Sequence, residues 1–131
     1  WDMYTKKIQI EARVLGDLTL NQIVPIASKY EAMLLDKVYK MSQLNLDATQ
    51  DIALIKEIST LTADIQRMVN EMVEARKVAN RITNEREKAI AYHDTVADYL
   101  EKIRYCIDKL ELVIDDQMWT LPKYRELLFL R

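Results

Sequence analysis

A single glycine, Gly16, and two prolines, Pro25 and Pro122, are all that this chain of 131 residues contains of the two residue types that most often punctuate turns. A β-rich fold needs such residues at nearly every reversal, whereas long helices need very few, so this scarcity predicts an all-α chain. The length suits one domain with a single core or one elongated bundle, and leaves no room for two. Half of the residues are apolar and 31% are charged, with both signs interleaved. That is the balance of amphipathic helices that bury one stripe and solvate the other, and it argues against disorder.

Apolar residues recur at steps of three or four from Tyr4 through Ile8, Leu15, Ile23, Tyr30, Leu34 and Met41 to Leu44, which predicts a first helix over about 2–44. Pro25 falls inside it, removes one backbone hydrogen bond and crowds the carbonyl four residues earlier, so either a kink or two segments meeting near Ile23–Val24 are expected there. Gly16 marks a second soft point, because glycine costs a helix interior about 1 kcal/mol relative to alanine. Asn45, Leu46 and Asp47 break the pattern, and Asp47 followed by Gln50 reads as a capping box that opens a second helix, about 48–81. Its stripe is Leu54, Ile58, Leu61, Ile65, Met68, Met72 and Ala75, close to a 3.5-residue repeat. Asn84 with Glu87 offers the next N-terminal cap, and a third helix follows over about 85–116 through Ala89, Tyr92, Val96, Leu100, Ile103, Ile107 and Leu110. Pro122 suits the first position of a short last helix, 122–130. Three long amphipathic helices with short connections, the first kinked near Pro25, are therefore expected to fold into an antiparallel bundle, with a short C-terminal helix docked on it.

A net charge of −2 without a one-sided basic block leaves no electrostatic footprint for a nucleic acid. No apolar run approaches the roughly 20 residues that span a bilayer, and no signal-peptide pattern is visible. One cysteine, Cys106, cannot close an intramolecular disulfide, so a cytoplasmic setting is the expectation. Trp1 is not an initiator, and a helical pattern is already running by Tyr4. The chain is therefore expected to continue a longer polypeptide.

Residues that could carry chemistry are few. His93 is the only histidine, Asp94 beside it is expected on another face, and Ile90 stands where a di-metal carboxylate bundle would place a glutamate. Cys106 lacks an activating partner, since helical spacing turns Arg104 and Lys109 partly away from it, and it reads as a structural thiol. Asp115 and Asp116 read as a solvated helix end rather than as cation ligands. The lone glycine excludes a Gly-rich phosphate loop. The methionines, among them Met33, Met41, Met68 and Met72, fall on or beside the apolar stripes as core filling. Aromatic residues gather in the last third, at Tyr99, Tyr105, Trp119, Tyr124 and Phe129, which is where an exposed apolar patch is expected. No catalytic, cofactor-binding or metal-ligating residue is assigned.

Four stretches carry a family resemblance: IQIEARVLGDLTLNQIVPIASKY (Ile8 to Tyr30), VNEMVEARKVAN (Val69 to Asn80), EREKAIAYHDTV (Glu85 to Val96) and IRYCIDKLELVIDDQMWTLPKYRELLF (Ile103 to Phe129). They resemble the C-terminal region of type III glutamine synthetases, the long bacterial form, and the last block is the most specific because helix physics does not demand its order of residues. The resemblance implies a parent ligase that condenses L-glutamate and ammonia with ATP hydrolysis, using magnesium or manganese, with its catalytic residues in the segment before this one. It also implies a homo-oligomer of stacked rings, and for this chain a non-catalytic structural and assembly role with the catalytic domain of the same chain as its partner. Ile10-Glu11-Ala12-Arg13 is similar to an active-site tetrapeptide of other glutamine synthetases. Here it lies in a helical repeat and is followed by VLGDL, which assigns Glu11 and Arg13 to a helix surface or an interface. A free-standing helical adaptor that pairs with partner helices is the alternative. An autonomous small-molecule bundle would need convergent polar residues on stripes that are apolar almost throughout.

Overall fold

The computed structural model describes residues 1–114, and every described regular element is helical. In chain order these are α1 (Asp2–Leu18), a π-helical turn (Thr19–Ile23), α2 (Val24–Gln43), α3 (Thr49–Asn80), α4 (Glu85–Ala91), a second π turn (Tyr92–Val96) and α5 (Ala97–Val113). Because each π turn is continuous with its flanking helices, they amount to three helices, two long and one shorter. The expected set of three long helices and a short fourth is corrected accordingly. The fourth helix expected over 122–130 lies outside the described residues, as do Asp115, Asp116, Trp119, Pro122, Tyr124 and Phe129.

Pro25 does not end the first helix. The Val24 N–H reaches back five residues to the Thr19 carbonyl, so the turn ahead of the proline is one residue wider than an α-turn. A wide turn relieves the crowding that the pyrrolidine ring would otherwise impose on the carbonyl of Asn21, and the chain continues into α2 with Pro25 in its first turn. Gly16 is no soft point. It is buried within α1, and a methyl group added there would lie 3.8 Å from Val69 Cγ1, an ordinary contact.

The first reversal is built by backbone and side chain together. Asn45 takes a left-handed conformation (φ 57°), Leu46 N–H donates to Met41 O and Asn45 N–H to Ser42 O, which is the Schellman arrangement that closes α2. The capping box expected from Asp47 and Gln50 gives way to a tighter device: Asp47 Oδ1 accepts from both the Thr49 N–H (3.0 Å) and the Thr49 hydroxyl (2.5 Å). At the second reversal Asn84 caps α4 by accepting from the Glu87 N–H at 3.0 Å. The third helix, expected to reach 116, ends at Val113, and Ile114 is extended (ψ 136°). Three residues short of the expected end, the chain has already left helical geometry.

Contacts between helices give the register. Gln9 meets Asn80, Gly16 meets Val69 and Lys37 meets Asp51, so the first helix runs against α3. The core is a single cluster that includes Ile8, Leu15, Ile23, Ile58, Ile65, Met72, Tyr92, Leu100, Ile103 and Leu110. Burying an aliphatic or aromatic side chain of this kind is worth roughly 1.5–3 kcal/mol, so this seam outweighs any surface contact in the fold. The core is widest where α1 packs on both α3 and the α4–α5 helix. Beyond Leu34, among the described residues, α2 packs mainly on α3, and no residue from 35 to 57 is fully buried.

Candidate functional surfaces

Core stripes leave little polar chemistry inside, so the question becomes which polar groups the helices bring together. His93 and Asp94 stand in the second π turn, mostly exposed, with His93 Nδ1 3.1 Å from Asp94 Oδ1. The expectation that Asp94 would point to another face is thereby corrected: in a wide turn, adjacent long side chains lean together at the surface. Among the described residues, no three His, Cys, Asp or Glu side chains are grouped as a metal site would require. Cys106 is half-buried against the core, and burial pushes its thiol above the ordinary range, reinforced by the Asp64 carboxylate and only partly offset by Lys109 and Arg67. Burial of this kind disfavours the thiolate, the form in which a cysteine acts as a nucleophile. Lys109 instead covers the Tyr105 ring at 4.5 Å, and Arg104 bonds Glu101 at 2.6 Å.

The Glu11-Ala12-Arg13 segment diverges. Glu11 approaches Arg104 of α5 at 3.6 Å in a largely covered ion pair that ties the first helix to the third. Arg13, two residues on, faces away from that contact into a groove between α1 and α3. Glu11 is an interface residue in the plain sense that it joins two helices.

One polar constellation was not foreseen. The hydroxyl of Tyr92, a fully buried residue, donates to Asn80 Oδ1 at 2.5 Å, and the same oxygen accepts from Gln9 Nε2 at 3.3 Å. Burial pushes the Tyr92 phenol upward, against Arg76, Asn80 and Gln9, which favour its ionised form. Three helices thus share one amide oxygen at the end of α3. Such a node fixes register rather than chemistry, because each group already has a partner.

The remaining features lie on the surface. Trp1, Tyr4, Ala89, Ile90, His93 and Asp94 line a mainly apolar depression of about 390 Å³ where α1 begins, and Met3, Ile10 and Val14 continue apolar exposure along α1. Of the aromatic residues on which the patch expected in the last third rests, Trp119, Tyr124 and Phe129 lie outside the described residues; the described apolar exposure lies at the opposite end of the sequence, where Met3 and Ile10 stand among lysines. No described helix is long and apolar enough to cross a membrane.

Fold and surfaces define a class: an all-α unit whose apolar residues fill a helical seam and whose remaining apolar surface faces outward. Comparison with known proteins makes this particular. Residues 1–42 match a family described as the glutamine synthetase C-terminal domain. A glutamine synthetase of Bacteroides fragilis is 51% identical over 134 residues, covering 98% of this chain and 18% of that protein. The type-3 glutamine synthetase of Dictyostelium discoideum is 24% identical over 138 residues, covering 100% of the chain and 19% of that protein. A glutamine synthetase of Butyrivibrio fibrisolvens is 26% identical over 128 residues. The chain is thus similar over nearly its whole length to glutamine synthetases, and over residues 1–42 to their C-terminal domain. It spans less than a fifth of the length of these curated relatives.

Proposed function

We propose that this chain is a non-catalytic structural and assembly region of a glutamine synthetase. On this reading the parent enzyme condenses L-glutamate and ammonia to L-glutamine with ATP and magnesium or manganese in the cytoplasm, through residues elsewhere in the polypeptide. The chain's partners are the catalytic domain of its own polypeptide and neighbouring subunits of a homo-oligomer. The observation that carries the reading is the 51% identity that runs over 98% of a chain built around one apolar seam. Exposed Met3, Ile10 and Val14 on α1 support it further, since apolar residues clustered on a surface mark contacts with another body.

The test is made in the full-length enzyme, by replacing Ile10 and Val14 together with lysine. Both positions are more than half exposed, so the helix itself tolerates the change. The expected result is loss of the native oligomer in light scattering and a lower melting temperature. Any enzyme that remains assembled keeps its KM for glutamate and ATP. Full activity with normal assembly, both in this variant and after removal of the whole segment, sinks the proposal.

A further inference from the structure

The third helix stops before the other two do, and it stops at the mouth of an apolar groove. Along α3 it runs antiparallel: Asp64, Arg67 and Met68 share a depression with Lys102, Tyr105 and Cys106, and farther on the Glu57 carboxylate acts on Lys109. That register brings Ile114 level with the α3 residues just ahead of Glu57. Ile114 is itself buried in the core cluster, so the chain leaves α5 against the bundle.

On the first helix, the face turned to α5 can be followed past that point. Glu11 meets Arg104, and Leu18 and Ile26 follow at steps of seven and eight, the eighth being the residue that the π turn adds. Both are half-buried against the core. A further step of seven reaches Met33, which with Lys37, Met41, Leu44 and Leu46 lines a groove of about 350 Å³. The charges beside it are already matched, since Lys37 pairs with Asp51 at 2.9 Å and Lys40 with Asp36 at 3.0 Å. What the groove offers is apolar surface, with Met33 47% and Leu44 71% exposed.

The chain that follows indicates the occupant. Residues 115–131 start at the groove's mouth and carry Met118, Trp119, Tyr124, Leu127, Leu128 and Phe129. From Met33 to Leu44 the groove spans eleven helical steps, about 17 Å, whereas seventeen residues reach about 25 Å even when helical throughout. We propose that residues 115–131 lie along this groove of their own chain, extending the line of α5 and covering Met33, Met41 and Leu44. Leu35 and Tyr39, on the other side of α2, stay open, so the arm remains less covered than the seam. Groove and occupant belong to one chain, and the proposal therefore stands apart from the assembly role.

Hydrogen exchange of the full-length enzyme, read on peptides, supplies the test. Leu44→Asp puts a charge into the groove at a largely exposed position, and is expected to raise exchange in 117–130 about tenfold, the effect of losing one buried leucine contact. Reciprocally, Leu127→Asp together with Leu128→Asp is expected to raise exchange in 36–46 by a similar factor. Leu35→Asp, 54% exposed but outside the groove, is the control and leaves 117–130 unchanged. An amine-reactive cross-linker longer than the groove is expected to join Lys123 to Lys37 or Lys40 in a product of single-subunit mass. Exchange in 117–130 that ignores Leu44→Asp, or responds equally to Leu35→Asp, overturns the proposal. So does absence of the cross-link, or its presence only in products of two-subunit mass, which would put a neighbouring subunit's segment in the groove.

Discussion

Gly16 illustrates how a residue can be read correctly in its energetics and wrongly in its consequence. A glycine inside a helix does carry an entropic cost, but here the helix runs straight through it because packing against Val69 holds the backbone. Since the added methyl of an alanine meets Val69 Cγ1 at 3.8 Å, neither clash nor strain opposes the change. Gly16→Ala is therefore expected to stabilise the chain by about 0.5–1 kcal/mol in urea denaturation, the usual difference between the two residues in a helix interior. A destabilised variant would mean that the α1–α3 approach is tighter than described. The Tyr92–Asn80–Gln9 node was out of reach of sequence reasoning for a different reason. Its partners are separated by 12 and 71 positions, so no local pattern connects them, although Tyr92 itself was legible as a member of a buried stripe.

At the scale of elements, the signals that are local in the chain were the ones that could be read. Asn84 announces its helix because a cap and the amide it bonds are only three residues apart. Asp47 was recognised as a helix-start residue, yet its true partner is Thr49, one residue nearer than the expected Gln50, since a hydroxyl and an amide on one residue offer the carboxylate two bonds at once. The π turn before Pro25 has a readable cause in the proline, although the form expected was a kink or a junction of two segments. The turn at Tyr92–Val96 contains neither proline nor glycine, and nothing in its sequence marks it. The Asp47 bonds also make a prediction. Accepting from Thr49 through side chain and backbone holds the Asp47 carboxyl below its usual value. A group whose pKa is depressed on folding stabilises the fold above its unfolded pKa, and that contribution fades as pH falls through the folded value. Asp47→Ala is expected to melt below the parent chain at neutral pH, with the gap narrowing once pH drops below about 4, the ordinary aspartate range. A gap that is constant with pH would mean that the lost contact is not the ionised one.

The molecule as a whole is unevenly held. Periodicity revealed that there would be one helical seam and which residues fill it, but not where along the seam the third helix would stop supporting the other two. Ile58, Ile65, Met72, Ile103, Ile107 and Leu110 are all almost wholly covered, and they lie where α5 packs along α3. From 35 to 57 the reversal between α2 and α3 contains no fully buried residue, and Leu35, Tyr39, Leu44, Leu46 and Ile52 are exposed there. Its long-range polar tie is the Lys37–Asp51 ion pair at 2.9 Å, and an ion pair open to water contributes about 0–1 kcal/mol at most. Local opening follows local burial, so amides with few covered neighbours exchange through small fluctuations while those in the seam wait for global unfolding. Hydrogen exchange of the chain is therefore expected to rank the amides of Val38–Leu54 as markedly faster than those of Ile58–Val69 and Leu100–Leu110, although all lie in or beside continuous helix. The gradient should shrink in the full-length enzyme if assembly covers this arm, because a contacting body supplies the burial the isolated hairpin lacks. Uniform protection across both regions in the isolated chain would show that the arm is cooperative with the seam, and that backbone hydrogen bonding rather than apolar burial sets the order of opening.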